Sequence, residues 1–126
     1  MMNDDLKHER EQGCRLFPKY DANGLICAVI TDASNNNVLM IAYMDEAALK
    51  LTLDTGRVHF YSRSRQSLWL KGETSGNFLE VVETMIDCDQ DALWIKARPA
   101  GPVCHTGAAN CFYRVINKDG GLERRN

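Results

Sequence analysis

Apolar residues fall along this chain in short runs, each bounded by turn formers, and only one segment has helical spacing. Leu25-Ile26-Cys27-Ala28-Val29-Ile30-Thr31 follows the turn-like Asp21-Ala22-Asn23-Gly24. Ser34-Asn35-Asn36-Asn37 then supplies a turn before a second apolar run over 38–43, so the two runs predict a β-hairpin. Asp45 is placed as the N-cap of a helix over 46–55, with Ala47, Ala48, Leu49, Leu51 and Leu53 inside and Gly56 as its stop. Strands are predicted over 57–62, 66–70, 78–86, 93–97 and 112–116. Gly72-Glu73-Thr74-Ser75-Gly76-Asn77 reads as a loop, and Arg98-Pro99-Ala100-Gly101-Pro102 as a break. Residues 1–24 give a polar helix over 3–12 and a lead-in, and 117–126 a polar tail. The sum is an α+β fold, predominantly antiparallel sheet with one or two helices.

Composition narrows the functional classes. The chain has 126 residues, 44% hydrophobic and 25% charged, enough for one domain with its own core. A net charge of −2 argues against general nucleic-acid binding, which needs a basic excess. The charged N-terminus lacks the apolar core of a signal peptide, and no apolar run is long enough to span a bilayer, so a cytoplasmic protein without a membrane partner is expected. Five cysteines are an odd number, which favours reduced thiols or metal ligands over a disulfide framework.

The candidate chemistry centres on Asp87-Cys88-Asp89-Gln90-Asp91. If extended, this stretch places Asp87, Asp89 and Asp91 on one face and Cys88 on the other. Three crowded carboxylates call for a cation, and Mg²⁺ suits a few carboxylates plus waters and substrate oxygens; a solvated acidic turn is the plain alternative. Cys88, Cys104 and Cys111 lie beside polar or glycine-containing segments where the backbone can bend to a shared point, unlike Cys14 and Cys27. Three thiolates leave a fourth tetrahedral position for water, the pattern of a catalytic zinc, although incidental cysteines fit the spacing too. His105 could be a fourth ligand, a proton-transfer group or a surface residue; as the neighbour of a ligand in extended chain it points away from the metal, which favours proton transfer. His59, between Val58 and Phe60, reads as a hydrogen-bonded structural residue.

From Arg57 to Gly72 the charges are Arg57, Arg63, Arg65 and Lys71, with no acid among them. The hydroxyls and glycines that follow, Thr74 and Ser75 included, suit an anion-binding surface, although no P-loop string is present and a solvated strand face is the simpler account. Trp69 could stack on a base or belong to the core. Basic side chains beside a metal cluster suit a phosphorylated small molecule.

Together, Val38-Leu39-Met40-Ile41-Ala42-Tyr43-Met44, Tyr61-Ser62-Arg63-Ser64-Arg65, Trp69 through Asn77, Asp87 through Asp91, and Cys104-His105-Thr106-Gly107 with Cys111-Phe112-Tyr113 resemble the phosphoribosyl-AMP cyclohydrolases of histidine biosynthesis, in order from about Leu25 to Tyr113. The resemblance implies hydrolysis of the N1–C6 bond in the purine ring of 1-(5-phosphoribosyl)-AMP. It implies zinc at Cys88, Cys104 and Cys111 and magnesium at Asp87, Asp89 and Asp91. It also implies an intertwined homodimer, with one zinc per subunit held by Cys88 of one chain and Cys104 and Cys111 of the other. The expected mechanism is attack on C6 by hydroxide formed on zinc, with His105 moving the proton and Arg63, Arg65 and Lys71 holding phosphate. Leu70 stands where many members of the family carry a histidine or polar residue, and Asn77 where some have histidine. Only about a dozen residues follow Tyr113, so no second, pyrophosphohydrolase domain is expected. Two other readings remain: a zinc-stabilised binding module without turnover, and a nucleoside or base deaminase, which lacks here its His-x-Glu and Pro-Cys-x-x-Cys strings.

Overall fold

The computed structural model of the chain describes residues 4–125, so Asn3 of the expected first helix and Asn126 of the tail lie outside the described residues. Helix α1 (Asp4–Gln12) buries no side chain. Strands β1 (Ile26–Asp32) and β2 (Val38–Met44) form the expected antiparallel hairpin, with a register shift between Ile30 and Thr31. Its turn is held by Asp32, whose Oδ1 accepts from Ser34 N at 2.8 Å and Ser34 Oγ at 2.7 Å.

Helix α2 (Glu46–Thr55) starts where Asp45 Oδ1 accepts from Ala48 N at 2.8 Å, and it ends at Gly56, left-handed at φ 73. Ala48, Leu49 and Thr52 are buried, whereas Leu51 is half-buried and Ala47 and Leu53 are exposed. The expectation of five inward apolar residues is corrected: a helix buries a stripe about 100° wide, which these three residues fill. Thr52 Oγ1 donates to Ala48 O at 2.8 Å and accepts from His59 N at 2.9 Å, fastening α2 to the next strand.

Strands β3 (His59–Ser62) and β4 (Ser67–Leu70) make a second antiparallel hairpin. Phe60 and Trp69 face each other across it with ring centroids 5.3 Å apart. Strands β5 (Leu79–Ile86) and β6 (Ala92–Pro99) form a third. Arg98 and Pro99, expected to break regular structure, instead complete β6, because Leu79 and Glu80 pair with them. Strand β7 (Arg114–Ile116) pairs with β8 (Leu122–Arg124), so the expected polar tail carries a strand whose alternation is too short and too exposed to read from sequence.

The main sheet has the order β2-β1-β6-β5, antiparallel except for the parallel contact of β1 with β6. Burial alternates most regularly along the two central strands, β1 and β6. Ile26, Ala28 and Ile30 of β1 and Leu93, Ile95 and Ala97 of β6 point into the core, joined there by Met44, Leu49, Val58, Phe60 and Leu79. Full burial of each large side chain contributes about 1.5–3 kcal/mol. The other face exposes Trp94 and Arg98.

Candidate active site

An open cleft of about 440 Å³ runs beneath the loop after β4 and the segment after β6. Arg65, Trp69, Lys71, Thr74 and Ser75 line one side, and Val103, Cys104 and His105 the other. Gly72 forms part of its wall: at φ 92 it is in the left-handed region, and a Cβ there would meet Asn77 C at 2.6 Å. The basic loop and the Cys104-His105 pair, more than thirty residues apart, thus share one space. Trp69 packs on Phe60, as a core residue would, and also lines the cleft. Arg63 is not among the lining residues; its guanidinium lies 4.2 Å from the ring centroid of Tyr43. His59 hydrogen-bonds through Nδ1 to Arg57 O at 2.8 Å, in keeping with a structural role.

The thiol loop is shaped by its own backbone. Cys104 N donates to Ala108 O at 3.1 Å and Gly107 N to Cys104 O at 3.0 Å, while Cys111 N is held by Leu39 O of β2 at 2.8 Å. These bonds bring the two thiols within hydrogen-bonding reach of each other. Thr106 Oγ1 donates to Cys104 Sγ at 3.1 Å. The Thr106 hydroxyl, then its N–H, hold the Cys104 thiol below the usual range against the effect of burial, helped by Cys111 and the charge of Lys71. Cys111 is exposed over the residue as a whole, yet burial around its sulfur, then the Cys104 charge, push it up to about 11. Lys71 Nζ donates to Val103 O at 2.6 Å, which places its ammonium beside both thiols.

The acidic stretch is the five-residue turn between β5 and β6, not the expected extended chain, so its side chains do not alternate between two faces. The carboxylates converge for a different reason. Asp87 Oδ1 accepts from Asp91 N at 2.9 Å and Ala92 N at 3.1 Å, folding the turn back on itself. One oxygen from each of Asp87, Asp89 and Asp91 lies within 4.8 Å of the others, the only such group of three among the described residues. Burial pushes Asp87 upward, but hydrogen bonds from Asp91 and its N–H, and from Ala92 and Asp89, bring its carboxyl below the usual range. Asp91 is pushed up to about 6, first by its hydrogen bond to Asp89 and then by that to Asp87. Three carboxylates brought this close raise one another's proton affinity and have the donor set of a hard-cation site.

Cys88 is exposed on the same turn and is not grouped with Cys104 and Cys111. It lines a separate cavity of about 380 Å³, together with Asp87 and, from the N-terminal segment, Arg10, Cys14 and Arg15. Within one chain, therefore, the three expected zinc ligands do not meet.

Two residues at these sites were not singled out from the sequence. Thr106 has a recognisable signal, a hydroxyl two positions from a thiol, where local back-bonding is easy. Gln90 has a weaker one, a neutral amide inside an acidic run; it is buried and bonds to the N-terminal segment.

No helix among the described residues is long and apolar enough to cross a membrane. The family model described as phosphoribosyl-AMP cyclohydrolase matches residues 40–113. A protein of that name from Rhizorhabdus wittichii is 56% identical over 115 residues, covering 91% of this chain and 93% of the relative. Relatives of the same name from Brucella canis and Brucella anthropi are 56% and 57% identical over 113 residues, covering 88% of this chain and 81% and 80% of theirs. The match spans the cleft, the acidic turn and both loop thiols, and the chain belongs to the phosphoribosyl-AMP cyclohydrolase family.

Proposed function

We propose that this chain hydrolyses the N1–C6 bond of 1-(5-phosphoribosyl)-AMP, within histidine biosynthesis and in the cytoplasm. The observation that carries the reading is the cleft in which Cys104 and His105 open beside Lys71 and Arg65. Its donors fit the metals of the family. Cys104 and Cys111 offer a soft pair with one thiol already biased toward thiolate, suited to zinc. The converging oxygens of Asp87, Asp89 and Asp91 suit magnesium. Cys88, remote from the thiol pair in its own chain, completes the zinc set of a second copy in a homodimer.

Zinc in that set supplies a Lewis acid that brings deprotonation of water into the neutral range, and magnesium a hard partner for phosphate or ribose oxygens. The chain's own residues do the rest. His105, exposed at the cleft beside Cys104, takes the proton from the attacking water and returns one to N1 as it leaves C6. The water oxygen becomes the carboxamide oxygen and the exocyclic nitrogen stays on carbon, so no ammonia is released. Lys71 holds Val103 and keeps two further N–H donors for substrate. Arg65, Thr74 and Ser75 supply the other anion contacts, while Arg63 contributes charge from outside the cleft. Trp69 offers its ring to the base.

The test is incubation of purified, zinc-quantified protein with phosphoribosyl-AMP. Loss of the adenine chromophore without ammonia is expected, and zinc-loaded protein that leaves the chromophore intact would exclude the reading. Ammonia release would indicate deamination instead, and stable zinc without turnover a binding module. His105→Ala is expected to lower kcat by about 10²–10⁴-fold; wild-type kcat with an unchanged pH profile would remove the proton-transfer role.

A further inference from the structure

The acidic turn contains one side chain that neither metal reading uses. Gln90 is 4% exposed, yet its backbone is in the left-handed region at φ 58, which a residue with a Cβ adopts reluctantly. Its contacts account for that conformation. Nε2 donates to Arg10 O at 2.8 Å and to Arg15 O at 3.1 Å, Oε1 accepts from Phe17 N at 2.6 Å, and the backbone oxygen accepts from Lys19 N at 2.7 Å. One residue thus fastens four points of segment 10–19. After α1 that segment has no regular secondary structure up to Lys19. Stacking of Arg10 and Arg15 on the Phe17 ring, 4.1 and 5.0 Å from its centroid, completes a compact strap beside the turn.

We infer that Gln90 is a positioning residue: by locking the strap to the turn, it fixes where Asp87, Asp89 and Asp91 present their oxygens to a divalent cation. This rests on the proposed reading of those carboxylates as magnesium ligands. The competing account is that the turn shapes itself, since Asp87 Oδ1 already accepts from Asp91 N and Ala92 N.

Gln90→Gly separates the two. Glycine favours a positive φ, so the turn's backbone is relieved rather than strained, while all three side-chain bonds to the strap are lost. Gln90→Asn gives a second variant that tolerates the left-handed conformation and keeps an amide, one methylene too short to reach the same three partners. Both are compared with wild type in the full chain by calorimetric titration with Mg²⁺ and by the rate of tryptic cleavage after Arg10 and Arg15. The expected result is a loss of Mg²⁺ affinity of about tenfold or more, with faster cleavage and with kcat restored by excess Mg²⁺. Wild-type affinity in both variants overturns the inference, even if cleavage is faster, and so does a kcat loss that excess Mg²⁺ leaves in place. A wild-type chain with no Mg²⁺ affinity overturns the metal reading itself and this inference with it, a failure told apart because it appears without any substitution.

Discussion

Cys104 and Cys111 carry the same side chain, yet their surroundings drive them in opposite directions. A hydroxyl donor two residues away favours the thiolate at Cys104, whereas burial and that neighbouring charge keep the proton on Cys111 up to about 11. Single-residue chemistry of this kind is partly legible in sequence, because Thr106 is local to Cys104, while the approach of Lys71 is not. Asp32 offers a second local case with a measurable sign. The hydroxyl and then the N–H of Ser34 hold its carboxyl below the usual range. Its folded-state pKa is depressed, so its stabilising contribution is present above the unfolded pKa and is lost as pH falls through the folded value. Ser34→Ala should therefore raise the Asp32 pKa part of the way back, and less acid should be needed to lose that contribution. Carboxyl titration by NMR reads this directly; an unmoved Asp32 would show that the hydroxyl is not the cause.

Among the elements, α2 was the most readable, because both of its ends are marked by residues with one physical use. Asp45 caps it and Gly56 stops it. Asp45→Ala should cost about 1 kcal/mol, seen as a lower urea midpoint with an unchanged slope; an unchanged midpoint would mean that water serves Ala48 N equally well. The acidic turn shows the opposite situation. Its residue types announced a cation site, but a five-residue connection can be extended or folded, and only the bonds to Asp87 Oδ1 decide it. Strand β8 carries no sequence signal, because Leu122, Glu123 and Arg124 are all exposed and leave no burial alternation to read.

Across the whole molecule, the sheet order brings one cleft together and keeps the acidic turn out of it. Cys88 and Cys104 line different cavities of a single chain. An enzyme that needs all three thiols on one zinc must then draw on two copies. Mixing Cys88→Ala chains with Cys104→Ala chains, each inactive alone, should regain activity, since a heterodimer rebuilds one intact site of its two. Failure of unfolded-and-refolded mixtures to regain any activity would count against a shared site. The core sets a separate requirement: Phe60 is fully buried and supports Trp69 at the cleft wall. Phe60→Ala should destabilise the fold by about 3–5 kcal/mol, read by chemical denaturation; a loss well below that range would mean that the core collapses into the vacated space.

The sequence alone determined the first hairpin, α2, the α+β class and the residue types at both candidate metal positions, because turn formers, caps and apolar runs act over a few residues. Tertiary structure decided what depends on distant partners. The parallel pairing of β1 with β6, the meeting of Lys71 with Val103 across 32 residues, and the clamp from Gln90 to Phe17 across 73 all join segments whose local sequences carry no sign of each other. Long-range closure is specified by the summed burial of the core, which no short window of the chain contains.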